Sequence, residues 1–267
     1  MNGGSRSQGP VRPARVLRRA FTLIELLVVI SIIVLLMALL LPVLHKARKQ
    51  ARAVACQANL HQWALLFQLY TSEHEGRWFR PDGDASNYWW RLLEPYYDTR
   101  GYYKLRGQSP EGIHGILRCP AKTWYDAHGY HLMPVNYHPN DWMYDSTMPS
   151  DTDVAELYLR RADASRSPGT VPVLLDSYIG GGVWALFDTG TPPPPVEGVM
   201  YGNWFCTPRH GGFVNGVFLD WSVRKVGLKE LWTLKWHRKY NTSGPWTKAG
   251  GVQPSDWPEW MHRFKEY

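Results

Sequence analysis

The sequence contains few of the residue patterns that mark catalytic and metal-binding proteins. It has 3 cysteines and 10 histidines among 267 residues, but no Cys-x-x-Cys or His-x-x-x-His spacing of the kind that suits zinc. It also has no Ser/His/Asp or nucleophilic-cysteine pattern, no glycine-rich phosphate loop and no run of alternating Asp and Asn for calcium. The sequence therefore predicts a non-enzymatic protein with no catalytic residue, no metal site and no cofactor.

Charge is absent from residues 26–44, a run of 19 residues that are almost all apolar. As an α-helix this run would be about 28 Å long, close to the thickness of the hydrocarbon core of a bilayer. A membrane-spanning helix is therefore predicted. Glu25 lies at the start of the run. Because a carboxylate so near the bilayer interior is costly unless it is paired, Glu25 is predicted to be functional.

The residues around Glu25 read RRAFTLIE, positions 18–25. An ordinary signal peptide has a small-residue cleavage site after a shorter apolar run, whereas here the small residue Ala20 precedes the run. The stretch resembles the amino-terminal signal of type IV prepilins and type II secretion pseudopilins. That resemblance implies cleavage by prepilin peptidase between Ala20 and Phe21, methylation of Phe21, and a role for Glu25 in filament assembly. The family usually has Gly before the cut, where this chain has Ala20.

The resemblance divides the chain into a leader (1–20), a transmembrane helix (21–44), an amphipathic helix (45–75) and a globular head (76–267). The leader contains five arginines and no acid, which predicts a cytoplasmic leader and a head outside the cytoplasm. Removing those five from 30 basic residues leaves 25 against 23 acidic residues, a net charge of +2. The basic balance therefore belongs mainly to the leader, and no nucleic-acid partner is expected.

Helical periodicity continues after the predicted membrane span. The predicted buried stripe comprises Ala47, Ala51, Val54, Ala58, Leu65 and Leu69, widened by Leu60, Ala64 and Phe67. Pro42 lies inside the span and is predicted to bend the helix without breaking it. Gly76 is predicted to stop the helix, which should end within residues 71–76.

The texture of the sequence changes after Gly76, where glycine, proline and aromatic residues interrupt short apolar runs. Strands are predicted at 115–119, 171–176, 183–187, 213–219 and 222–226. The irregular polar run 126–153 carries no predicted element. Together with the helix, these strands predict the α+β fold of type IV pilins, in which a long N-terminal helix packs on a C-terminal antiparallel sheet.

Three motifs beyond the membrane span strengthen the resemblance. Cys56-x-x-Asn-Leu on the helix, a later Cys119-Pro pair, and His210 followed ten positions on by Asp220 resemble large pseudopilin-like proteins of planctomycete-type bacteria. That family has Gly after the Asp, where this chain has Trp221. A lone His–Asp pair lacks a nucleophile or a third metal ligand. His210 and Asp220 are therefore predicted to stabilise a hairpin by a hydrogen bond between them.

The three cysteines allow three pairings. Export from the cytoplasm, which the resemblance implies, permits disulfides. We predict a bond between Cys56 on the helix and Cys119 at the end of a predicted strand, with Cys206 as the odd thiol. The alternative is that all three are reduced and buried, since a free cysteine packs as a small hydrophobe.

All 14 tryptophans lie from Trp63 onward. Clusters at 88–90, 124–125 and 257–260 could stack on sugars, but an aromatic core is the favoured interpretation because each ring buries a large area. The predicted function is a structural subunit of a type II secretion pseudopilus or a type IV pilus-like fibre. The expected partners are prepilin peptidase, other pilin subunits and an inner-membrane assembly platform. The alternatives are a membrane-anchored polysaccharide-binding protein and a hydrolase on a pilin stem.

Overall fold

A computed structural model describes residues 22–79, 89–96, 115–121, 135–144, 155–180, 188–197 and 205–267 of the chain. The chain divides into two compact units, Met1–Ala47 and Arg48–Tyr267. Helix α1, Leu23–Glu73, begins in the first unit and ends in the second. A short helix α2 covers Trp89–Leu92. One long N-terminal helix with a C-terminal antiparallel sheet confirms the predicted α+β, pilin-like architecture.

The first part of α1 is apolar and exposed. No described residue from 22 to 52 is buried, and the helix is long and apolar enough to cross a membrane by length and composition. The helix continues through Pro42, so this proline does not end it. The predicted bend at Pro42 stays a prediction.

The second part of α1 buries one face. The buried residues recur at helical spacing and are Ala53, Cys56, Leu60, Trp63, Ala64, Phe67 and Thr71. The predicted main stripe was therefore wrong, because its six residues are all exposed: Ala47, Ala51, Val54, Ala58, Leu65 and Leu69. Only the residues predicted to widen it, Leu60, Ala64 and Phe67, are buried. The side of α1 that carries Cys56 and Trp63 faces the core, since these large or soft side chains fill it better than a stripe of alanines.

The helix ends where the sequence predicted. After Glu73 the chain passes through positive φ at Glu75 and Gly76, and the Gly76 N–H donates to the Thr71 carbonyl over 2.6 Å. A left-handed glycine that returns a hydrogen bond to the last turn is a common helix terminator.

The sheet contains four antiparallel strands in the order β1-β2-β3-β4: β1 Val135–Pro139, β2 Pro172–Gly180, β3 Phe213–Phe218 and β4 Val223–Gly227. Three of the predicted strands, 171–176, 213–219 and 222–226, are thus confirmed. Strand β1 was not predicted, because its sequence VNYHP is polar and ends in proline. Such a sequence is tolerated at a sheet edge, where β1 lies.

One predicted strand is wrong and one lies outside the described residues. Residues 115–119 form a turn whose carbonyls accept hydrogen bonds from side chains of α1: Trp63 Nε1 donates to the Ile116 carbonyl and Asn59 Nδ2 to the Arg118 carbonyl, both over 2.7 Å. The backbone of the turn is therefore paired mainly with side chains of the helix, and it has one contact with β1, in which the Asn136 N–H donates to the Leu117 carbonyl over 3.3 Å. The predicted strand 183–187 belongs to the part of the chain that the structure leaves undescribed.

Both faces of the sheet are covered by aromatic-rich clusters. In β3, Val217 packs in a cluster with the buried face of α1, whereas Val214 and Phe218 pack in a second cluster with the C-terminal segment, as the two-residue period of a strand requires. Among the described tryptophans, the buried ones are Trp63, Trp78, Trp89, Trp90, Trp142, Trp232, Trp236 and Trp257, and Trp221, Trp246 and Trp260 are half-buried. The described tryptophans are therefore core residues.

Candidate functional site

Glu25 closes the amino-terminal turn of α1. The Glu25 Oε2 atom accepts hydrogen bonds from the Thr22 backbone N–H and from Thr22 Oγ1, both over 2.8 Å, and the Glu25 N–H donates to Thr22 Oγ1 over 3.2 Å. This reciprocal arrangement is a capping box, which satisfies donors that the first turn of a helix leaves unpaired. The carboxylate stays exposed, so a second partner can reach it. Ala20 and Phe21, the predicted cleavage and methylation residues, lie outside the described residues.

His210 and Asp220 lie at opposite ends of β3 and do not bond to each other. The predicted hydrogen bond between them was wrong because strand β3, Phe213–Phe218, separates the two residues. Asp220 Oδ1 instead accepts hydrogen bonds from the Ser222 N–H over 3.0 Å and from Ser222 Oγ over 2.6 Å. Asp220 therefore supports the β3–β4 turn, in which Trp221 adopts the left-handed region at φ 65°.

His210 instead belongs to a buried polar cluster that the sequence did not predict. The cluster consists of Cys56, Cys119, Asp176 and His210, all buried, and the four potential ligand atoms lie within 4.8 Å of one another. All four residues belong to the unit Arg48–Tyr267. Four separate segments supply them, namely α1, the turn 115–121, strand β2 and the loop before β3.

The local folds of these segments explain how the side chains meet. Cys56 lies on the buried face of α1, and Asn59, one turn later, holds the Arg118 carbonyl and so places Cys119 beside the helix. Asp176 follows Leu174 at the two-residue spacing that puts both on one face of β2. The loop after His210 turns through Gly211 and Gly212, at φ 78° and 106°, a conformation that glycine adopts without strain.

The distances within the cluster are those of direct hydrogen bonds. The Cys56 thiol donates to Asp176 Oδ1 over 3.0 Å. Nε2 of His210 lies 3.0 Å from Asp176 Oδ2 and 3.4 Å from Cys119 Sγ. The Asn215 N–H donates to Asp176 Oδ2 over 2.8 Å.

Two further residues contact the cluster from its sides. The Tyr137 hydroxyl donates to Cys56 Sγ over 3.4 Å, and a guanidinium nitrogen of Arg209 lies 3.7 Å from Asp176 Oδ1. The Arg209 side chain is itself 6 % exposed and donates to the carbonyls of Asn136 and Ser177. A positive charge is therefore held next to the carboxylate.

Burial and mutual hydrogen bonds shift the pKa values of the cluster residues in different directions. Hydrogen bonding from Cys56, and then from His210, lowers the pKa of Cys119 despite its burial. Although burial acts in the opposite direction, hydrogen bonds to Asp176 and Cys119 raise the pKa of His210. Burial opposes ionisation of Asp176 as well, but the His210 hydrogen bond and the Arg209 charge hold its pKa below the usual range. Burial raises the pKa of Cys56. The cluster brings together two cysteines, one histidine and one aspartate, which are residue types that ligate zinc.

The structure keeps the three cysteines as free, buried thiols. Cys56 and Cys119 are neighbours in the cluster, whereas Cys206 packs in the second hydrophobic cluster. The predicted disulfide between Cys56 and Cys119 stays a prediction, although the packing brings its two residues together.

Sequence reasoning missed Asp176 and Arg209. A signal for Asp176 was available, because this acid directly follows the apolar run Val173–Leu175 within a predicted buried strand, and a buried carboxylate needs a partner. The expectation of no metal site rested on local spacing alone. Ligands from four separate segments have no local spacing.

Comparison with known protein families identifies the amino-terminal segment. Residues 16–41 match the family model described as the prokaryotic N-terminal methylation motif, whereas no curated protein and no solved structure matches the chain. The matched segment includes Ala20, Phe21 and Glu25 and runs into α1. The chain thus carries a prepilin-type methylation motif followed by a long apolar helix. This motif is typical of chains that prepilin peptidase processes and that assemble as pilin-like subunits. Such a motif indicates membrane anchoring and a structural protein more than an enzyme.

Proposed function

We propose that this chain is a pilin or pseudopilin subunit whose leader is removed between Ala20 and Phe21 and whose new terminus is methylated. The observation that carries the proposal is the first part of α1, which follows the matched motif, contains no charge from residue 26 to 44 and is exposed along that length. An apolar surface that the chain itself leaves uncovered needs lipid before assembly and neighbouring helices after it.

The second part of α1 supports the same proposal. Opposite its buried face it carries exposed apolar residues, among them Val54 at 57 %, Leu65 at 65 % and Leu69 at 44 % exposure. A helix with apolar side chains on two faces can pack one face against its own domain and the other face against a second helix. A filament whose core is a bundle of such helices provides that second contact.

The proposed setting is the cytoplasmic membrane, with the leader in the cytoplasm and the head outside. There the subunit awaits prepilin peptidase and an inner-membrane assembly platform. A type II secretion pseudopilus is our first choice of filament and a type IV pilus-like surface fibre is the second. Binding of polysaccharide gains no support, because every tryptophan in the described ranges is buried or half-buried.

Glu25 is proposed to pair with the amino terminus of a neighbouring subunit. Its carboxylate is the one acid in the apolar part of α1, and a charge at that depth costs several kcal/mol unless it is compensated. The methylated amine at Phe21 of the next subunit is a cation that can compensate it and thereby set the axial register. The Thr22 contacts leave this possible, since the carboxylate is exposed.

Mass spectrometry of the mature amino terminus in the native host tests the processing step. We expect a chain of 247 residues that begins with N-methylated Phe21, because the leader accounts for 20 of the 267 residues. An intact Met1, or a cut after residue 44, would show the proposal to be wrong.

A pair of substitutions separates the charge of Glu25 from its role in the helix cap. Glu25→Gln keeps a capping-box side chain and removes the charge, whereas Thr22→Ala removes the cap and keeps the charge. We expect both variants to insert in the membrane, Glu25→Gln to be absent from sheared filaments and Thr22→Ala to be present in them. Assembly of Glu25→Gln at the normal level would refute the pairing.

A further inference from the structure

We propose that Cys56, Cys119, Asp176 and His210 bind one zinc ion in a closed, tetrahedral, structural site. The site would join the second part of α1 to the turn 115–121 and to the sheet. This inference does not depend on filament assembly, because it rests on contacts inside the unit Arg48–Tyr267.

The spacing of the four donor atoms suits a tetrahedral ion. Zinc bonds of about 2.0–2.3 Å imply distances of roughly 3.3–3.8 Å between neighbouring ligand atoms. Cys56 Sγ lies 3.0 Å from Asp176 Oδ1, whereas His210 Nε2 lies 3.0 Å from the other carboxylate oxygen, Oδ2, and 3.4 Å from Cys119 Sγ. With one ligand atom taken from each residue, all four lie within 4.8 Å of one another. Shifts of about 1 Å or less would therefore complete the coordination.

The orientation of His210 argues for a shared central ion and against a catalytic triad. A nucleophile–histidine–acid triad uses both ring nitrogens, one for the nucleophile and one for the acid. Here Nε2 faces both Cys119 and Asp176, while Nδ1 has no hydrogen-bond partner among the described residues. A single N–H cannot serve a sulfur and a carboxylate equally, whereas an unprotonated Nε2 within 3.4 Å of both can share a cation with them.

The charges of the site balance when zinc is present. A zinc ion with two thiolates and the Asp176 carboxylate carries a net charge of about −1 with a neutral His210. The Arg209 guanidinium, 3.7 Å from Asp176 and almost fully buried, offsets that charge. Since an unbalanced buried charge is strongly destabilising, the position of Arg209 fits an anionic metal centre.

Surrounding groups hold two of the ligands in place, as is usual around metal ions. The Asn215 N–H donates to Asp176 Oδ2 and the Tyr137 hydroxyl donates to Cys56 Sγ. Both hydrogen bonds are compatible with an ionised ligand, because the protein group is the donor in each. The ligands thus have a preformed arrangement.

Zinc binding and the Cys56–Cys119 disulfide are alternatives, because both use the same two sulfurs. A disulfide would remove the Cys56 S–H that donates to Asp176 Oδ1 and would require neither the buried acid nor His210. The convergence of two further ligand types on the two thiols therefore favours the metal.

The test uses the full chain, purified from membranes in detergent without chelators. Elemental analysis should find about one zinc per chain. Exchange for cobalt should give the strong visible absorption of tetrahedral Co²⁺ and near-ultraviolet thiolate-to-cobalt charge transfer. Cys119→Ser and His210→Ala should lose most of the bound metal, and the control Cys206→Ser, which alters a buried thiol outside the cluster, should keep it.

The unaltered protein tests the zinc proposal even if the ligand variants misfold, because measuring its metal content and its cobalt spectrum requires no substitution. Absence of metal together with failure to take up zinc or cobalt would overturn the proposal. So would a Cys56–Cys119 disulfide found by non-reducing peptide mapping of the exported protein. Metal that persists in the double variant Cys56→Ser/Cys119→Ser would place it elsewhere and would equally overturn the proposal.

Discussion

The two parts of α1 obtain their stability from different sources. Along 23–44 every side chain is exposed, including large apolar ones such as Leu35 at 63 %. Along 53–71 one face is buried, and Trp63 and Phe67 on it are fully inaccessible. The side chains of one helix therefore suit two different environments. Those of the first part suit contact with lipid or other molecules, and those of the second part suit the core of the chain itself.

The comparison teaches that apolarity alone does not locate a core. The more apolar part of α1 is the part that the chain leaves uncovered. The part that packs on the core contains cysteine, tryptophan and asparagine side chains whose polar atoms bond to residues beyond the helix. Substitutions in the two parts should consequently affect different measurements, stability of the head in one case and membrane insertion or assembly in the other.

The largest expected effect is that of Trp63→Ala. This ring lies in the core, edge-on to Trp89 at 4.8 Å between ring centroids, and its Nε1 donates to the Ile116 carbonyl. We expect the free energy of unfolding to fall by about 3–5 kcal/mol, the usual cost of deleting a buried aromatic. Leu65→Ala, at an exposed position of the same helix, should change it by less than about 0.5 kcal/mol. Denaturant unfolding in detergent, followed by fluorescence, measures the free energy of unfolding of both variants. Equal losses would contradict the distinction between the buried and the exposed face of α1.

A smaller effect separates two polar residues of α1. Asn59 Nδ2 donates to the Arg118 carbonyl over 2.7 Å, so Asn59→Ala should cost about 1–3 kcal/mol by leaving that carbonyl without its donor. Ser31 Oγ donates to the Leu27 carbonyl within the helix, and Ser31→Ala should leave the unfolding of the head unchanged. The same unfolding measurement compares them. A comparable loss for Ser31→Ala would mean that the two parts unfold as one.

Two substitutions of Trp221, in the β3–β4 turn, test whether its backbone conformation is strained. Trp221 holds φ 65° and its ring packs 6.1 Å from that of Trp78. Trp221→Ala and Trp221→Gly both lose the ring, but only Ala keeps a Cβ in the left-handed region. Gly should therefore be more stable than Ala by about 1 kcal/mol. Thermal unfolding of the two variants gives the difference, and an advantage for Ala would contradict the strained backbone.

An effect of similar size is expected for Asp220→Ala. The substitution removes two hydrogen bonds to Ser222 at an exposed turn, so the free energy of unfolding should fall by about 0.5–1.5 kcal/mol. Membrane insertion should not change, because Asp220 belongs to the second unit. A drop in melting temperature without a change in membrane fractionation would agree with this. Unchanged stability would mean that Asp220 does not support the turn.

Much of the fold followed from local patterns. Strands β3 and β4 were predicted because each alternates or concentrates apolar residues beside a turn, and α1 because its apolar run is long and ends near Gly76. Strand β1 escaped because an edge strand with Asn, His and Pro has no such pattern. The buried stripe of α1 was misplaced because apolar residues on opposite faces of the helix recur with the same period. The face that packs on the core is the one that carries Trp63.

The amino-terminal sequence by itself determined the prepilin-type methylation motif, since the basic residues, the small residue, Phe21, Glu25 and the apolar run follow one another along the chain. Only the tertiary structure decided the surroundings of His210. The partner of His210 is Asp176 on strand β2. Asp220, ten residues after His210 in sequence, is not its partner, because strand β3 extends between the two residues and places them at its opposite ends. Packing of α1, a turn and the sheet then brings two thiols to the same carboxylate and imidazole. Strand pairing and helix packing bring together residues that are far apart in the sequence. Such contacts cannot be predicted from the spacing of residues along the chain.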